Sequence, residues 1–442
     1  MPAAARAEAR DYGACSLPPR LPTLAPMLLK LTSLLGLVAF IALAWGLSLD
    51  RKRFPWRTVL SGLALQFAFA WLILRTTFGE AVFRYTNSAV DRLLGFAEEG
   101  SKMVFGPLAN GKMLAEKWGP ENAFIFVITV TSTIILVSAL SSLLYHYGIL
   151  QRVVAGVSWV MERVMKTSGS ESLAAAANIF MGQTEAPLII KPYLANMTKS
   201  ELLAVMIPGM ASIAGGVMAA YVSFGISPGH LLTASVMSAP AALLIAKIML
   251  PETEQSETAQ GATAKLELES TNGVDAICRG ASEGLTLSLN VMGMLIAFVA
   301  LVAMANFLIA LPQTELFNMT NPVTLQKFFG WVNAPFAWLM GVPSKDCVAV
   351  GQVLGERIVL NEFIGYLSLG KIKETLDPRS VTIATYALCG FANFASIAIQ
   401  IGGIGALAPT RRAELAKFGL RAMVGGLLAC YMMATIAGLL TN

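Results

Sequence analysis

Eight stretches of the chain are apolar over about the 20 residues that a helix needs to cross a membrane core of roughly 30 Å. They span residues 27–47, 57–78, 122–145, 201–225, 229–250, 285–311, 380–406 and 415–440. Only 13% of the 442 residues are charged and 55% are hydrophobic, whereas soluble chains carry about 25% charged residues. The expected fold is therefore an all-α polytopic membrane protein with eight transmembrane helices.

Other functional classes find little material. The net charge of +5 is small and reads as loop asymmetry, so no nucleic-acid partner is expected. Five cysteines (Cys15, Cys278, Cys347, Cys389, Cys430) fall without paired spacing, which gives neither a disulfide framework nor a metal motif. His146 and His230 are the only histidines, too few for a His-based metal site or triad. Residues 1–26 are Ala-, Pro- and Arg-rich and are expected to form a disordered tail. The stretch from Met27 to Leu47 is longer than a signal-peptide core and reads as the first span.

Between the spans, residues 83–105, 149–166 and 274–285 place apolar residues at helical spacing. Examples are Val90, Leu93, Leu94 and Ala97 in the first and Val153, Val154, Val157 and Met161 in the second. Each reads as an amphipathic helix in the interface plane. Residues 27–119 then form a peripheral scaffold, and residues 120–251 and 273–442 two transport halves. The polar linker 252–272 divides them, with Glu252, Glu254, Glu257, Glu267 and Glu269. Basic clusters at Arg51–Arg53 and Arg57, at Arg152, Arg163 and Lys166, and at Arg411, Arg412, Lys417 and Arg421 mark three cytoplasmic loops. Both termini then face outward, and a bacterial inner membrane is the expected location. Lys371, Lys373 and Arg379 fall on the outer side, partly balanced by Glu374 and Asp377.

Two further stretches, about 168–196 and 343–370, are apolar but too interrupted to span, and each reads as a re-entrant hairpin. In the first, Gly182, Gln183, Thr184 and Glu185 stop the apolar run and Pro187 follows. The second holds Asn361-Glu362 after Ile358-Val359-Leu360. Non-helical backbone at bilayer depth survives only where it is buried in protein or lines a watery cavity, and an intramembrane carboxylate marks a functional site by default. The two halves also echo each other. Ala211-Ser-Ile-Ala214 after the first hairpin matches Ala395-Ser-Ile-Ala398 after the second, with glycine pairs beyond each. Interrupted segments at corresponding places in two halves point to a transporter's binding site.

The polar residues fit a small set of tasks. Asn393 and Ser396, three apart, are expected on one helical face. With Glu362 they offer an amide, a hydroxyl and a charged acceptor, a set that suits a vicinal diol such as a ribose. Gln183, Thr184 and Glu185 suit a heterocycle edge, and Phe391 and Phe394 offer an aromatic wall. Interhelical hydrogen bonding is the ordinary use of Asn393 and Ser396, and lipid or core packing that of the phenylalanines. Asn178 and Ser212 are neutral oxygen donors beside expected helix breaks, the kind of group that coordinates Na⁺ in transporters. The Gly402-Gly403-Ile-Gly405 run lacks the strand and distal acid of a dinucleotide loop and reads as helix packing.

Gly182-Gln-Thr-Glu-Ala-Pro187, Asn361-Glu-Phe363 and Cys389-Gly-Phe-Ala-Asn-Phe394 with Ser396 resemble, in order, the signature stretches of the concentrative nucleoside transporter family. The resemblance covers residues 120–440. It implies cation-driven nucleoside symport by a homotrimer of eight-span protomers in membrane lipid, each with two opposed re-entrant hairpins in an inverted repeat. By motif position, Gln183, Thr184, Glu185 and Val217 would face the nucleobase with Phe391 nearby, and Glu362, Asn393 and Ser396 would hold the ribose. The side chains of Asn178 and Ser212 with the carbonyls of Met181 and Ile213 would hold Na⁺. No other cofactor is expected. Proton coupling through Glu185 or Glu362 is the alternative. A different class, an intramembrane enzyme using those two acids as an acid–base pair, lacks a nucleophile, a metal cluster or an Arg-rich phosphate site.

Overall fold

In the computed structural model, residues 24–119, 125–259, 261–262 and 270–441 are described. The tail before residue 24, Cys15, Glu267 and Glu269 lie outside them. Among the described residues the chain forms helices and no strand. In order these are α1 (Leu24–Gly46), α2 (Trp56–Arg75), α3 (Thr77–Phe105), α4 (Gly111–Trp118), α5 (Phe126–His146) and α6 (Ile149–Met165). The first interrupted stretch gives α7 (Gly169–Ala177) and α8 (Ala186–Ile189), followed by α9 (Lys199–Ala211), α10 (Gly215–Ser223) and α11 (Pro228–Met249). After the linker come α12 (Gly273–Glu315), α13 (Leu325–Leu339), α14 (Cys347–Val359), α15 (Glu362–Ile372), α16 (Pro378–Leu388), α17 (Phe394–Leu407) and α18 (Arg412–Leu440).

Seven segments among the described residues are long and apolar enough to cross a membrane. The seventh expected span, 380–406, is divided into α16 and α17 by the non-helical Cys389–Asn393. The fourth is divided in the same way by Ser212–Ala214, between α9 and α10. Burial sorts the helices into an inner and an outer set. In α9, every residue from Ser200 to Ala211 is buried, and α11 and α18 are nearly as enclosed. By contrast α1, α2 and α12 turn Leu31, Leu34, Trp71, Ile296, Phe307 and their neighbours outward. In water such a surface is untenable, and in lipid it is ordinary.

Two expectations need correction. Residues 274–285 do not form a separate interfacial helix: they are the first turns of α12, 43 residues long. The physical reason is that no proline interrupts this helix before Pro312, while Gly280 and Gly284 press it against α5. A Cβ on Gly280 would meet the Ser138 carbonyl at 2.6 Å, and one on Gly284 the Ile135 Cα at 2.8 Å. Two small residues four apart let helix backbones approach closely in a membrane. Gly284→Leu is therefore expected to force α5 and α12 apart at a cost of about 1–3 kcal/mol, read as a lower thermal unfolding midpoint in detergent. After the Gly182–Glu185 turn the chain forms the short α8, with Pro187 in its first turn, and then turns over 190–196, where Pro192 lacks the N–H that would carry a helix on. Second, the matched tetrapeptides do not occupy equivalent places. Residues 212–214 form the break after α9, whereas 395–398 lie in the first turn of α17. Helix α13, which packs on α14, was not anticipated; its Pro335 and short length hide it.

Candidate functional site

The breaks and the two interrupted stretches meet. Helix α7 opens with a capping box in which the Ser168 N–H donates to the Glu171 carboxylate, and it closes at Asn178. The chain then turns at Gly182, whose N–H donates to Glu185 Oε2 at 3.1 Å. The Phe180 carbonyl accepts the Gly215 N–H at 3.0 Å, fixing this turn to the start of α10. Backbone groups freed by the break are thus satisfied within the protein, as a membrane interior requires. Across the break, the Ser212 carbonyl accepts the Phe391 N–H at 3.3 Å, so the two divided helices touch at their divisions.

Four expected residues form one hydrogen-bonded line. Gln183 Nε2 donates to Ser396 Oγ at 3.1 Å. The Ser396 N–H donates to Asn393 Oδ1 at 2.9 Å, and Asn393 Nδ2 donates to Glu362 Oε2 at 3.1 Å. Asn393 and Ser396 come together by a route other than the expected one: Asn393 is the N-cap of α17 and not part of a shared helical face. Its amide oxygen satisfies an orphan N–H of the first turn, which leaves the amide nitrogen for Glu362. Glu362 is the first residue of α15, capped by Asn361, where the positive end of the helix favours a carboxylate. All four side chains are buried. Gly209 makes room for Gln183: a Cβ there would come within 3.1 Å of the Gln183 Cβ.

Tyr221 was missed. Its hydroxyl donates to Glu362 Oε1 at 3.3 Å, and its ring stacks on Tyr366 with centroids 4.4 Å apart. The signal was its spacing, four residues beyond Val217 and so on the same face of α10. Val217 is buried. Thr184 and Glu185 are exposed at the tip, with Thr184 beside Gly403, where a Cβ would lie 2.9 Å from its methyl carbon. Phe391 is half-buried at the α16–α17 division, and Phe394 is exposed.

Asn178 and Ser212 are each 1% exposed. Both spend their donors on the carbonyl four residues back: Asn178 Nδ2 on Ala174 at 2.9 Å, Ser212 Oγ on Pro208 at 2.8 Å. Asn178 Oδ1 is left with no hydrogen-bond partner. A buried amide oxygen without a donor is costly and suits a cation of low charge. Met181 and Ile213 lie in the adjoining non-helical stretches, where carbonyls are available. No group of three or more His, Cys, Asp or Glu among the described residues forms a metal cluster. A separate cavity of about 850 Å³ lies at the base of α7, lined by Arg53, Lys166, Glu171, Lys247 and Glu252 among others. There Lys247 Nζ pairs with Glu171 at 2.7 Å, a closed ionic contact.

Comparison with known proteins identifies the family. Three family models match along the chain: "Na+ dependent nucleoside transporter N-terminus" over residues 35–108, "Nucleoside recognition" over 127–228 and "Na+ dependent nucleoside transporter C-terminus" over 230–438. An uncharacterized transporter of Haemophilus influenzae is 43% identical over 415 residues, covering 92% of this chain and 97% of its own. The nucleoside permease NupC of Helicobacter pylori is 37% identical, covering 93% and 97%. The solved structure of CNTnw in an inward-facing substrate-bound state superposes with a TM-score of 0.87 at 37% identity, over 93% of this chain and 98% of that one. With helices that pack as in that transporter and family matches that cover most of its length, the chain is an integral membrane transporter, not an enzyme, and belongs to the concentrative, Na⁺-dependent nucleoside transporter family.

Proposed function

We propose that this chain is a secondary active symporter that imports nucleosides across the bacterial inner membrane on a Na⁺ gradient. The observation that carries the reading is the buried line Gln183–Ser396–Asn393–Glu362, which links the two interrupted stretches through the α16–α17 division. Its members bond to one another here, Gln183 Oε1 has no partner, and each has the chemistry to exchange its bond for one to a ribose hydroxyl or a base amide. Glu362, Asn393 and Ser396 hold the ribose. Gln183, Thr184, Glu185 and Val217 face the base, with Phe391 beside it. Asn178 and Ser212, with the Met181 and Ile213 carbonyls, hold Na⁺. The interrupted stretches act as opposed re-entrant hairpins in an inverted repeat, and the site between them opens to each side in turn. The working unit is a homotrimer with both termini outward.

Three polar side chains converge on the sugar, whereas the base contacts include the apolar Val217. Removing the ribose 3′-hydroxyl leaves buried donors or acceptors unpaired, at about 1–3 kcal/mol. In competition with ³H-uridine, 3′-deoxyuridine is therefore expected to bind at least about tenfold more weakly. Equal competition by the two nucleosides overturns the ribose assignment.

A further inference from the structure

Arg357 is wholly buried at 0% exposure, yet it pairs with no carboxylate among the close ion pairs of the described residues. Its Nη1 donates to the Ala387 carbonyl. Nε and Nη2 have no oxygen acceptor, and the guanidinium lies 6.0 Å from the Tyr431 ring centroid. A buried charge so sparsely bonded is expensive. A neutral amide would serve as well for one carbonyl.

The position of Arg357 gives a reason for the charge. It sits in the last turn of α14, and Glu362 opens α15, with only Leu360 and Asn361 outside helix between them. A cation at a helix C-terminus and an anion at a helix N-terminus are each favoured by their own helix dipoles. Here the two charges flank one break. The other end of the contact matters equally. Ala387 lies in the final turn of α16, where carbonyls lack intrahelical donors. Tyr366 reaches the same turn, its hydroxyl donating to the Thr385 carbonyl at 2.9 Å. From that turn the chain runs through Cys389–Phe391 to Asn393, which donates to Glu362.

The geometry points to Arg357 as a positioning residue of the nucleoside site. It fastens the end of α16 to α14, so that Asn393 meets Glu362, and it supplies the positive charge against which that carboxylate is held. It touches the nucleoside only through Glu362 and Asn393, so its loss acts on the ribose and spares the base.

This inference rests on the ribose role of Glu362, and the test separates the two. Uridine and 3′-deoxyuridine binding is measured by calorimetry on the full chain in nanodiscs, for wild type, R357M, R357K and E362Q. R357M is expected to lose about tenfold in uridine affinity with less than about threefold loss for 3′-deoxyuridine, collapsing the discrimination between them. R357K, which keeps the charge and a donor, is expected to retain it. If R357M does not fold, R357Q, which keeps a donor for the Ala387 carbonyl without the charge, carries the same comparison with the same expectation. Equal losses for both nucleosides, or none, overturn the role of Arg357. A wild-type ratio in E362Q overturns the ribose reading itself, and this inference with it.

Discussion

Replacing Glu362 with glutamine is expected to weaken uridine binding at least about tenfold while leaving the protein folded. The carboxylate accepts from Tyr221 on one oxygen and from Asn393 on the other. Glutamine has the same shape but only one acceptor, and its amide nitrogen would face one of these donors. Losing a charged acceptor to a hydrogen-bonded partner costs about 1.5–3 kcal/mol, and a sugar hydroxyl meets the same loss. Folding should survive, because the cap of α15 is the Asn361 amide and not Glu362. The measurement is titration of uridine into purified Glu362→Gln with its unfolding midpoint recorded alongside. Near-wild-type affinity in a folded variant would remove Glu362 from the site.

Substitution at the ion site is expected to act differently. In Asn178→Ala and in Ser212→Ala, the Na⁺ concentration that gives half-maximal uridine binding should rise by about tenfold, the scale of one lost bond to a charged group. Binding at saturating Na⁺ should stay close to wild type. Asn178 Oδ1 is buried without a donor, and the Ala174 carbonyl, which loses the Asn178 amide, keeps the Asn178 N–H, so the substitution is expected to remove one ion ligand and leave no group unpaired. Hydrogen bonds join the two proposed sites. Phe180 bonds to Gly215 on the far side of the Ser212–Ala214 break, and the Ser212 carbonyl accepts from Phe391, two residues before Asn393. Occupying the proposed ion site is therefore expected to brace both divisions that carry the proposed nucleoside ligands. Linkage then requires uridine to raise Na⁺ affinity by the same factor. A fall in maximal uridine binding with no change in Na⁺ dependence would place Asn178 and Ser212 in the nucleoside site instead.

Much of this was legible because a membrane leaves few options for a polar residue. Glu362, Asn393 and Gln183 stood out against apolar neighbours, and each lies buried in the same hydrogen-bonded line. The divisions of two spans were only half legible. Residues 380–406 read as continuous because Cys389-Gly390-Phe391-Ala392 is as apolar as a helix. Nothing in its composition announces that Asn393 begins a new helix by capping it. Tyr221 was passed over because an aromatic residue in an apolar run is usually packing, and its role appears only when α15 brings Glu362 to its hydroxyl. Arg357 was passed over for a related reason. In sequence it is one cation among 32 basic residues, and burial alone distinguishes it. The continuity of α12 was hidden by the polar character of Asp275, Arg279 and Glu283, a feature of a helix end as much as of an interfacial helix.

The most direct test is uptake of ³H-uridine by proteoliposomes of the purified chain. Three conditions are compared at fixed pH: an inward Na⁺ gradient, choline in its place, and an imposed inward proton gradient without Na⁺. The account predicts accumulation of chemically unchanged uridine above its external concentration with the Na⁺ gradient alone. Equal uptake in Na⁺ and choline, with accumulation following the proton gradient instead, would contradict it.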